Sequence, residues 1–175
     1  MVGAAGDVCD ATQVKFEFEQ RWRATVDDVV DVYLDESFWT GMVNLRKTSP
    51  PTVLDIARRA DSAVVRLHWV LSVDLPREAA RFIDPDDVAW VEETNWDLSS
   101  GIAKVSFHPD QAAGLLRASA TARLVGVGAE AVRSIDGDLS VRIPLLGRKV
   151  EPAIVEGVVE HLGEEAEAIA ARLSG

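Results

Sequence analysis

The sequence predicts an α+β fold in which an antiparallel sheet of seven strands curls around a long C-terminal helix. Segments in which apolar and polar side chains alternate recur along the chain, as in strands that bury one face. Turn residues such as Ser99-Ser100-Gly101 separate these segments. The C-terminal segment instead carries apolar residues at helical spacing, and a helix of that length, about 34 Å, matches the longest predicted strand.

The first strand and two short helices are expected to precede the rest of the sheet. Val14, Phe16 and Phe18 alternate with charged residues and begin this strand. Thr25 precedes a valine and two aspartates, the pattern of a helix N-terminus, so a helix is expected to follow it. A second short helix is expected over residues 36–43.

Six further strands are predicted, and a short helix over residues 75–83 is expected between the second and the third of them. These strands are expected over residues 52–60, 63–73, 88–98, 102–107, 114–127 and 130–143. Leu54 and Ile56 are expected to share one face of the first, and Gly137 is expected to mark a β-bulge in the last.

The last helix is predicted to follow Pro144 and to extend to about Leu173, with Pro152 in its first turn. Its apolar stripe consists of Val155, Val158, Val159, Leu162, Ala166, Ile169 and Leu173. The strand over residues 114–127 presents mostly small side chains on its apolar face. A twisted sheet wraps its cover rather than lying flat, so volume is expected between the helix and this strand.

The strongly acidic composition disfavours several classes of partner. The formal net charge is −11, so phosphate backbones and anionic lipid surfaces repel the protein, and neither nucleic acid nor stable membrane attachment is expected. Residues 1–12 have no basic residue and no apolar core, which favours a disordered tail over a secretory signal and a cytoplasmic location by default. The single cysteine, Cys9, allows no intrachain disulfide. The sequence leaves the oligomeric state open.

Several motifs resemble the START-like (SRPBCC) superfamily, which includes Bet v 1-type proteins and polyketide cyclases, and within it a bacterial family of unknown function. The motifs are Asp35-Glu36-Ser37-Phe38-Trp39, Leu75-Pro76 followed by Ala79-Ala80-Arg81-Phe82, Glu92-Glu93 leading to Trp96, and the stretch over residues 143–151. The resemblance covers residues 14–173 and implies a single START-like domain over residues 13–174. It further implies a helix-grip fold, often with an internal cavity for an apolar ligand, but no catalytic residue.

Glu92 is the weak candidate for an acid–base residue. It shares a strand face with Trp90 and Trp96, so it should point towards the last helix. Burial in an apolar cavity would raise the pKa of its carboxyl and let it exchange protons near neutral pH. The alternatives are a position at the rim, an arginine partner or a bulged strand. Thr94, on the same face, could orient a ligand by hydrogen bonding.

The candidate cavity combines the apolar faces of three strands with the stripe of the last helix. Its predicted lining is Trp69, Leu71, Trp90, Glu92, Thr94, Trp96, Ala118, Ala120, Val155, Val158, Val159 and Leu162. Two interpretations are open for Phe38, Trp39 and Met42: a gate over one end of the cavity, or packing under the edge of the sheet. The large aromatic residues of the lining are equally typical of an ordinary core.

No motif for metal, cofactor or nucleophilic chemistry is present. His68, His108 and His161 are widely separated and are interpreted as surface or edge residues, so no metal site and no cofactor are predicted. The leading hypothesis is a binding module that holds, transports or sequesters a small apolar or lipid-like ligand. One alternative is a cyclase or aromatase-type enzyme in which Glu92 moves protons. Another is a packed interaction domain without a ligand.

Overall fold

The computed structural model describes residues 13–72, 88–111, 114, 116–142 and 147–175, without the side chains of 147–150. The tail predicted over residues 1–12 lies outside these ranges, as does the helix predicted over residues 75–83 with the motif that begins at Leu75. Residues 143–146 of the motif over residues 143–151 lie outside them too, and the side chains of residues 147–150 are not described.

The described part of the chain forms one antiparallel sheet of seven strands and three helices, as the sequence predicts. The elements are β1 (Val14–Trp22), α1 (Val26–Tyr33), α2 (Glu36–Thr40), β2 (Thr52–Arg58), β3 (Ser62–Val70), β4 (Ala89–Asp97), β5 (Ile102–Pro109), β6 (Leu116–Val127), β7 (Glu130–Val141) and α3 (Gly147–Ser174). The strand order is β1-β7-β6-β5-β4-β3-β2, so β1 and β2 are the two edges.

Helix α3 lies in the hollow of the curved sheet, which confirms the predicted helix-grip architecture. Its residues Val155, Val158 and Leu162 pack against the same core as Trp90 and the buried face of the sheet. Two hydrogen bonds tie it to the edge strand β1: Gln20 Nε2 donates to the carbonyl of Leu162 over 2.7 Å. Trp22 Nε1 donates to the carbonyl of Ala166 over 3.0 Å. The helix is therefore fixed at its carbonyl groups as well as by apolar packing.

The predicted cap of α1 is confirmed, and two other helix predictions need correction. Thr25 accepts a hydrogen bond from the backbone of Asp28, whose carboxylate accepts one from the backbone of Thr25, forming a capping box. Helix α2 ends at Thr40, three residues before the predicted end at 43. Pro152 is the sixth residue of α3 rather than part of its first turn, so the carbonyl of residue 148 lacks its usual helical donor.

The predicted pairing of Leu54 with Ile56 on the inner face is wrong. A bulge between Val53 and Asp55 shifts the register of β2 against β3. Val53 and Ile56 consequently pack against the core, while Leu54 is 48% exposed. An extra residue in one strand reverses the side-chain alternation on one side of the bulge.

The bulge predicted at Gly137 is also wrong, because the register of β7 runs unbroken past this residue on both sides. Gly137 pairs with Phe16 of β1. A Cβ atom at residue 137 would lie 2.1 Å from Cζ of the Phe16 ring. The glycine is there because the buried Phe16 ring lies directly across its Cα.

Gly137→Ala is expected to destabilise the protein by about 1–3 kcal/mol, because the added methyl group displaces a buried ring. Urea unfolding of the single variant, of Phe16→Leu and of the double variant measures this coupling. The alanine should cost much less in the Phe16→Leu background, where no ring crosses residue 137. An equal cost in both backgrounds would contradict the explanation.

Candidate functional site

The side chains between the sheet and α3 are more completely buried at one end than at the other. On the concave face of β4, Thr94 and Trp96 are buried, whereas Trp90 and Glu92 keep part of their accessible surface. On helix α3, Ile169 is buried and residues 157–164 are all partly exposed, although Glu151 near the start of the helix is buried again. We call the Trp90 side the open end and the Trp96 side the closed end.

Glu92 points from the centre of β4 towards α3, as its strand parity predicts. It is paired with Leu67 of β3 and Phe107 of β5. Burial raises the pKa of the Glu92 carboxyl to about 8, and the negative charge of Glu165 on α3 adds to this effect. At neutral pH the side chain is therefore mostly protonated and acts as a hydrogen-bond donor.

Glu165 forms a buried ion pair with Arg133 inside a polar network. Arg133 of β7 donates to it through Nη2 over 2.5 Å, and the hydroxyl of Tyr33 also donates to it. Arg133 Nε donates to the amide oxygen of Gln20. The guanidinium lies over the rings of Trp22 and Tyr33, at 5.5 and 4.8 Å from their centroids. This network joins β1, β7, α1 and α3, and the sequence interpretation did not identify it.

A second group of buried polar atoms has no partner. The indole nitrogens of Trp69, Trp90 and Trp96 and both ring nitrogens of His161 make no hydrogen bond within the part of the chain that the structure describes. Trp69 pairs with Trp90 across β3 and β4, and the ring of His161 meets Trp69 edge-on at 4.6 Å. Leaving a buried polar group unpaired costs about 1–3 kcal/mol, so each of them needs an explanation.

His161 was predicted to be an ordinary surface or edge residue, and this is wrong. Burial lowers the pKa of its imidazole, although the charges of Glu165 and Glu164 oppose the shift. The ring is therefore neutral at pH 7, with one nitrogen donating and the other accepting. We refer to Trp69, Trp90, Glu92 and His161 as the inner cluster.

His161→Phe is expected to leave the free energy of unfolding unchanged or to increase it, because it removes two unpaired polar atoms and keeps the edge contact with Trp69. His68→Phe is the matched control. His68 Nε2 lies 2.7 Å from a carboxylate oxygen of Asp110, so this variant loses a hydrogen bond. Thermal unfolding measures both variants. A loss of more than about 1 kcal/mol at His161 would show that its nitrogens have partners.

Trp96 is separated from the inner cluster by its position at the closed end. It lines a cavity of about 40 Å³ together with Val30 and Leu124. The unpaired indole nitrogen of Trp96 therefore belongs to the closed end and is not part of the inner cluster.

The structure distributes the other predicted lining residues around the same interior. Ala118 packs at the open end in a small cluster with Leu116 and Ile154 around Leu139 and Val141. Ala120 packs against the main core. Leu71 is partly exposed and bridges to Thr48. Val159 is partly exposed on α3.

Phe38, Trp39 and Met42 lie in the core instead of around an opening. Their exposed fractions are 5%, 1% and 4%. Trp39 Nε1 donates to the carbonyl of Tyr33 over 2.9 Å, and its ring meets that of Trp69 at 6.5 Å. Of the two interpretations that the sequence allowed, packing fits this arrangement and a gate does not.

Within the described residue ranges, no three His, Cys, Asp or Glu side chains lie close enough to hold a metal ion. His108 contacts Ser106 Oγ at 3.0 Å, far along the chain from His161. None of the helices in these ranges has the length and apolar character needed to cross a bilayer.

Comparison with known proteins identifies the fold and a family. A family model described as "Protein of unknown function (DUF2505)" matches residues 17–173. No curated protein matches the sequence significantly.

Three solved structures illustrate the structural likeness. TTHA0849 from Thermus thermophilus is 17% identical with a TM-score of 0.63, covering 91% of this chain and 99% of its own. The Zhui aromatase/cyclase from Streptomyces sp. R1128 is 17% identical with a TM-score of 0.60, covering 93% and 94%. Norcoclaurine synthase from Thalictrum flavum, in complex with dopamine and hydroxybenzaldehyde, is 15% identical with a TM-score of 0.59, covering 99% and 94%. At such identities the likeness shows the fold, which is the START-like, Bet v 1-type fold that the sequence motifs predicted.

Proposed function

The chain belongs to the family described as "Protein of unknown function (DUF2505)", so its function is inferred from its own site, and we propose that it binds a small apolar ligand between the open end of the sheet and α3. The observation that carries this proposal is the inner cluster. The ring nitrogens of Trp69, Trp90 and His161 find no partner inside the described part of the protein, and they lie close to Glu92 among otherwise apolar side chains. A ligand with a large apolar part and a small polar part would cover these side chains and pair those nitrogens.

The surroundings of Glu92 support the same proposal. Its carboxyl is enclosed deeply enough for burial to raise its pKa to about 8, yet the residue keeps accessible surface. Both properties fit a carboxyl at the edge of the proposed site. Ala118 and Ala120 on β6 are small and pack on the same side of the sheet.

A packed interaction domain is less well supported than a ligand-binding domain. Such a domain gains nothing from unpaired indole and imidazole nitrogens in its interior, since each of them lowers its stability. Apolar side chains of similar size at Trp69 and His161 would pack equally well. Within the described residues, the cluster therefore favours a bound molecule that supplies these partners.

Filling the open end is the direct test. Ala118→Leu is expected to weaken binding of an apolar fluorescent dye at least about tenfold, because the added atoms occupy ligand volume. Ser119→Leu is the matched control, since Ser119 is exposed on the opposite face of the same strand. Dye titration and native mass spectrometry of gently purified protein measure the effect. Equal binding by both variants, or no retained ligand and no dye binding in the parent protein, would contradict the proposal.

An acid–base enzyme is the second candidate, favoured by the raised pKa of Glu92. A group with a pKa of about 8 holds a proton at neutral pH and can still release it during a reaction. Enzymes occur among the similar folds, including an aromatase/cyclase. For this candidate, Glu92→Gln should abolish turnover of a bound substrate and leave its affinity nearly unchanged. Unchanged turnover would exclude Glu92 as the proton donor.

A further inference from the structure

The polar atoms of the inner cluster have almost no accessible surface in the structure. The indole nitrogens of Trp69 and Trp90 and both ring nitrogens of His161 are buried. A ligand can reach them only if a part of the protein at the open end moves aside. An element that spans the open end and is held there by weak contacts can move in this way, because local opening costs little where few strong contacts are lost.

Residues 43–49, which we call the strap, form such an element between α2 and β2. Its last three residues run beside the end of β3. Ser49 N donates a hydrogen bond to the carbonyl of Val70 over 2.9 Å. Ser72 N donates one to the carbonyl of Lys47 over 2.7 Å. One side of the strap is therefore attached to the sheet directly after the tryptophan that β3 contributes to the inner cluster.

The other side of the strap is tied to α3 by ion pairs. Lys47 Nζ lies 2.6 Å from one carboxylate oxygen of Glu160, and Arg46 Nη1 lies 3.1 Å from the other. A carboxylate oxygen of Glu164 accepts a hydrogen bond from the backbone N of Arg46 over 3.1 Å. Glu160 and Glu164 lie on either side of His161 in the sequence of α3. The strap consequently meets the helix at the turn that carries this histidine.

The contacts that keep the strap in place are weak. The side chains of Arg46 and Lys47 are 74% and 37% exposed, and ion pairs of this kind contribute little and are screened by salt. The buried hydroxyl of Thr48 has no hydrogen-bond partner among the described residues. The observed position of the strap therefore leaves a polar group unsatisfied, which lowers the cost of leaving that position.

We propose that the strap is the gate of the ligand site, and that breaking its ion pairs with α3 admits a small apolar ligand to the inner cluster; this inference rests on the proposed binding function. Met42 and Pro51 are buried on either side of the strap and fix the points between which it moves. When the strap is closed, Arg46 and Lys47 link the end of β3 to α3. When it is open, both carboxylates on α3 are solvated and the region beside His161 becomes accessible.

Hydrogen exchange measures the opening without a ligand. The amides of Ser49 and Ser72 donate the two hydrogen bonds between the strap and β3, so their exchange rates report how often the strap opens. In the double variant Arg46→Gln with Lys47→Gln, both rates are expected to rise at least about threefold at low salt, because the ion pairs with α3 are removed. Sodium chloride at about 0.5 M should raise both rates in the parent protein and have little effect in the variant.

Two further variants locate the effect. Glu160→Gln with Glu164→Gln removes the same contacts from the side of α3, and combining it with the first double variant should add no further acceleration. Arg58→Gln is the matched control, because it removes an exposed pair with Asp31 (2.7 Å) outside the strap and should leave both rates unchanged. Unchanged exchange in both double variants would overturn the inference. An equal rise at the amide of Leu124 on β6 would also overturn it, since that indicates global destabilisation.

The entry of a dye tests the gate itself. N-phenyl-1-naphthylamine is apolar and uncharged, so its encounter with the protein does not depend on the removed charges. Its association and dissociation rates, measured by stopped-flow fluorescence, are expected to rise at least about threefold in Arg46→Gln with Lys47→Gln, with little change in Kd. Equal rates in the variant and the parent protein would mean that the strap is not the gate, while the binding function stands. If no dye binds to the parent protein, the proposed function fails and the gate fails with it.

Discussion

Arg133→Met is expected to lower the free energy of unfolding by about 3–5 kcal/mol, because it leaves the buried carboxylate of Glu165 without its cation. Both side chains are almost fully buried, with 4% and 5% of their surface accessible. The carboxylate would keep only the hydroxyl of Tyr33 as a donor within the described network. The amide of Gln20 would also lose its donor. Urea unfolding at pH 7 measures the loss.

Two further variants separate the buried charge from the general effect of removing an arginine. Arg172→Met removes an exposed pair with Asp35 and is expected to cost less than about 1 kcal/mol. The double variant Arg133→Met with Glu165→Leu removes both charges and should recover much of the loss, since a buried pair can be replaced by apolar groups at little cost. A double variant as unstable as the sum of the two single variants would contradict this explanation.

The strand pattern was predictable because burial on one face imposes a period of two on the sequence. β1, β3 and β4 show this clearly, and the concave face of β4 is the predicted one: Trp90, Glu92, Thr94 and Trp96. The predicted inner face of β2 was wrong for a physical reason. Val53 and Leu54 are both apolar, so the sequence fits either register, and only the pairing with β3 fixes the bulge.

Gly137 and Arg133 show what one strand cannot reveal about its neighbours. A glycine within a strand is compatible with a bulge or with a close approach of another group. The ring of Phe16, more than one hundred residues earlier in the chain, decides between them. Arg133 has the inward parity of Ile135 and Leu139, which was a usable signal for a buried charge. Its partner on α3 was not predictable, because an ion pair between a strand and a helix produces no regular spacing of the two residues in the sequence.

The candidate site was predictable in part. The parity of Glu92 predicts its direction, and α3 follows from its apolar stripe. His161 was missed because it precedes Leu162 and lies beside the stripe rather than in it. Whether such a residue is buried depends on how the helix is rotated against the sheet. Here the rotation brings its ring edge-on to Trp69.

Glu92→Gln is expected to stabilise the protein increasingly as the pH rises from about 5 to about 8. The carboxyl of the unfolded chain ionises near its ordinary pKa of 4.5, whereas that of the folded protein ionises near 8. Between these values the folded protein holds a proton that the unfolded chain has released. The stability of the parent protein therefore falls by about 1.4 kcal/mol per pH unit across this range. The protonated carboxyl contributes its full stabilisation below pH 4.5, the pKa of the group in the unfolded chain. This contribution is lost as the pH rises through about 8, the pKa of the group in the folded protein.

Glutamine has nearly the same shape and does not ionise, so it removes this pH dependence. The stability gap between Glu92→Gln and the parent protein should be near zero at pH 4.5 and reach about 3–5 kcal/mol above pH 8. Glu93→Gln is the matched control, because Glu93 points outward on the same strand and lies 3.3 Å from the exposed Arg66. Urea unfolding at five values between pH 4.5 and 9 measures all three proteins. A gap that stays constant with pH would show that Glu92 is ionised in the folded protein.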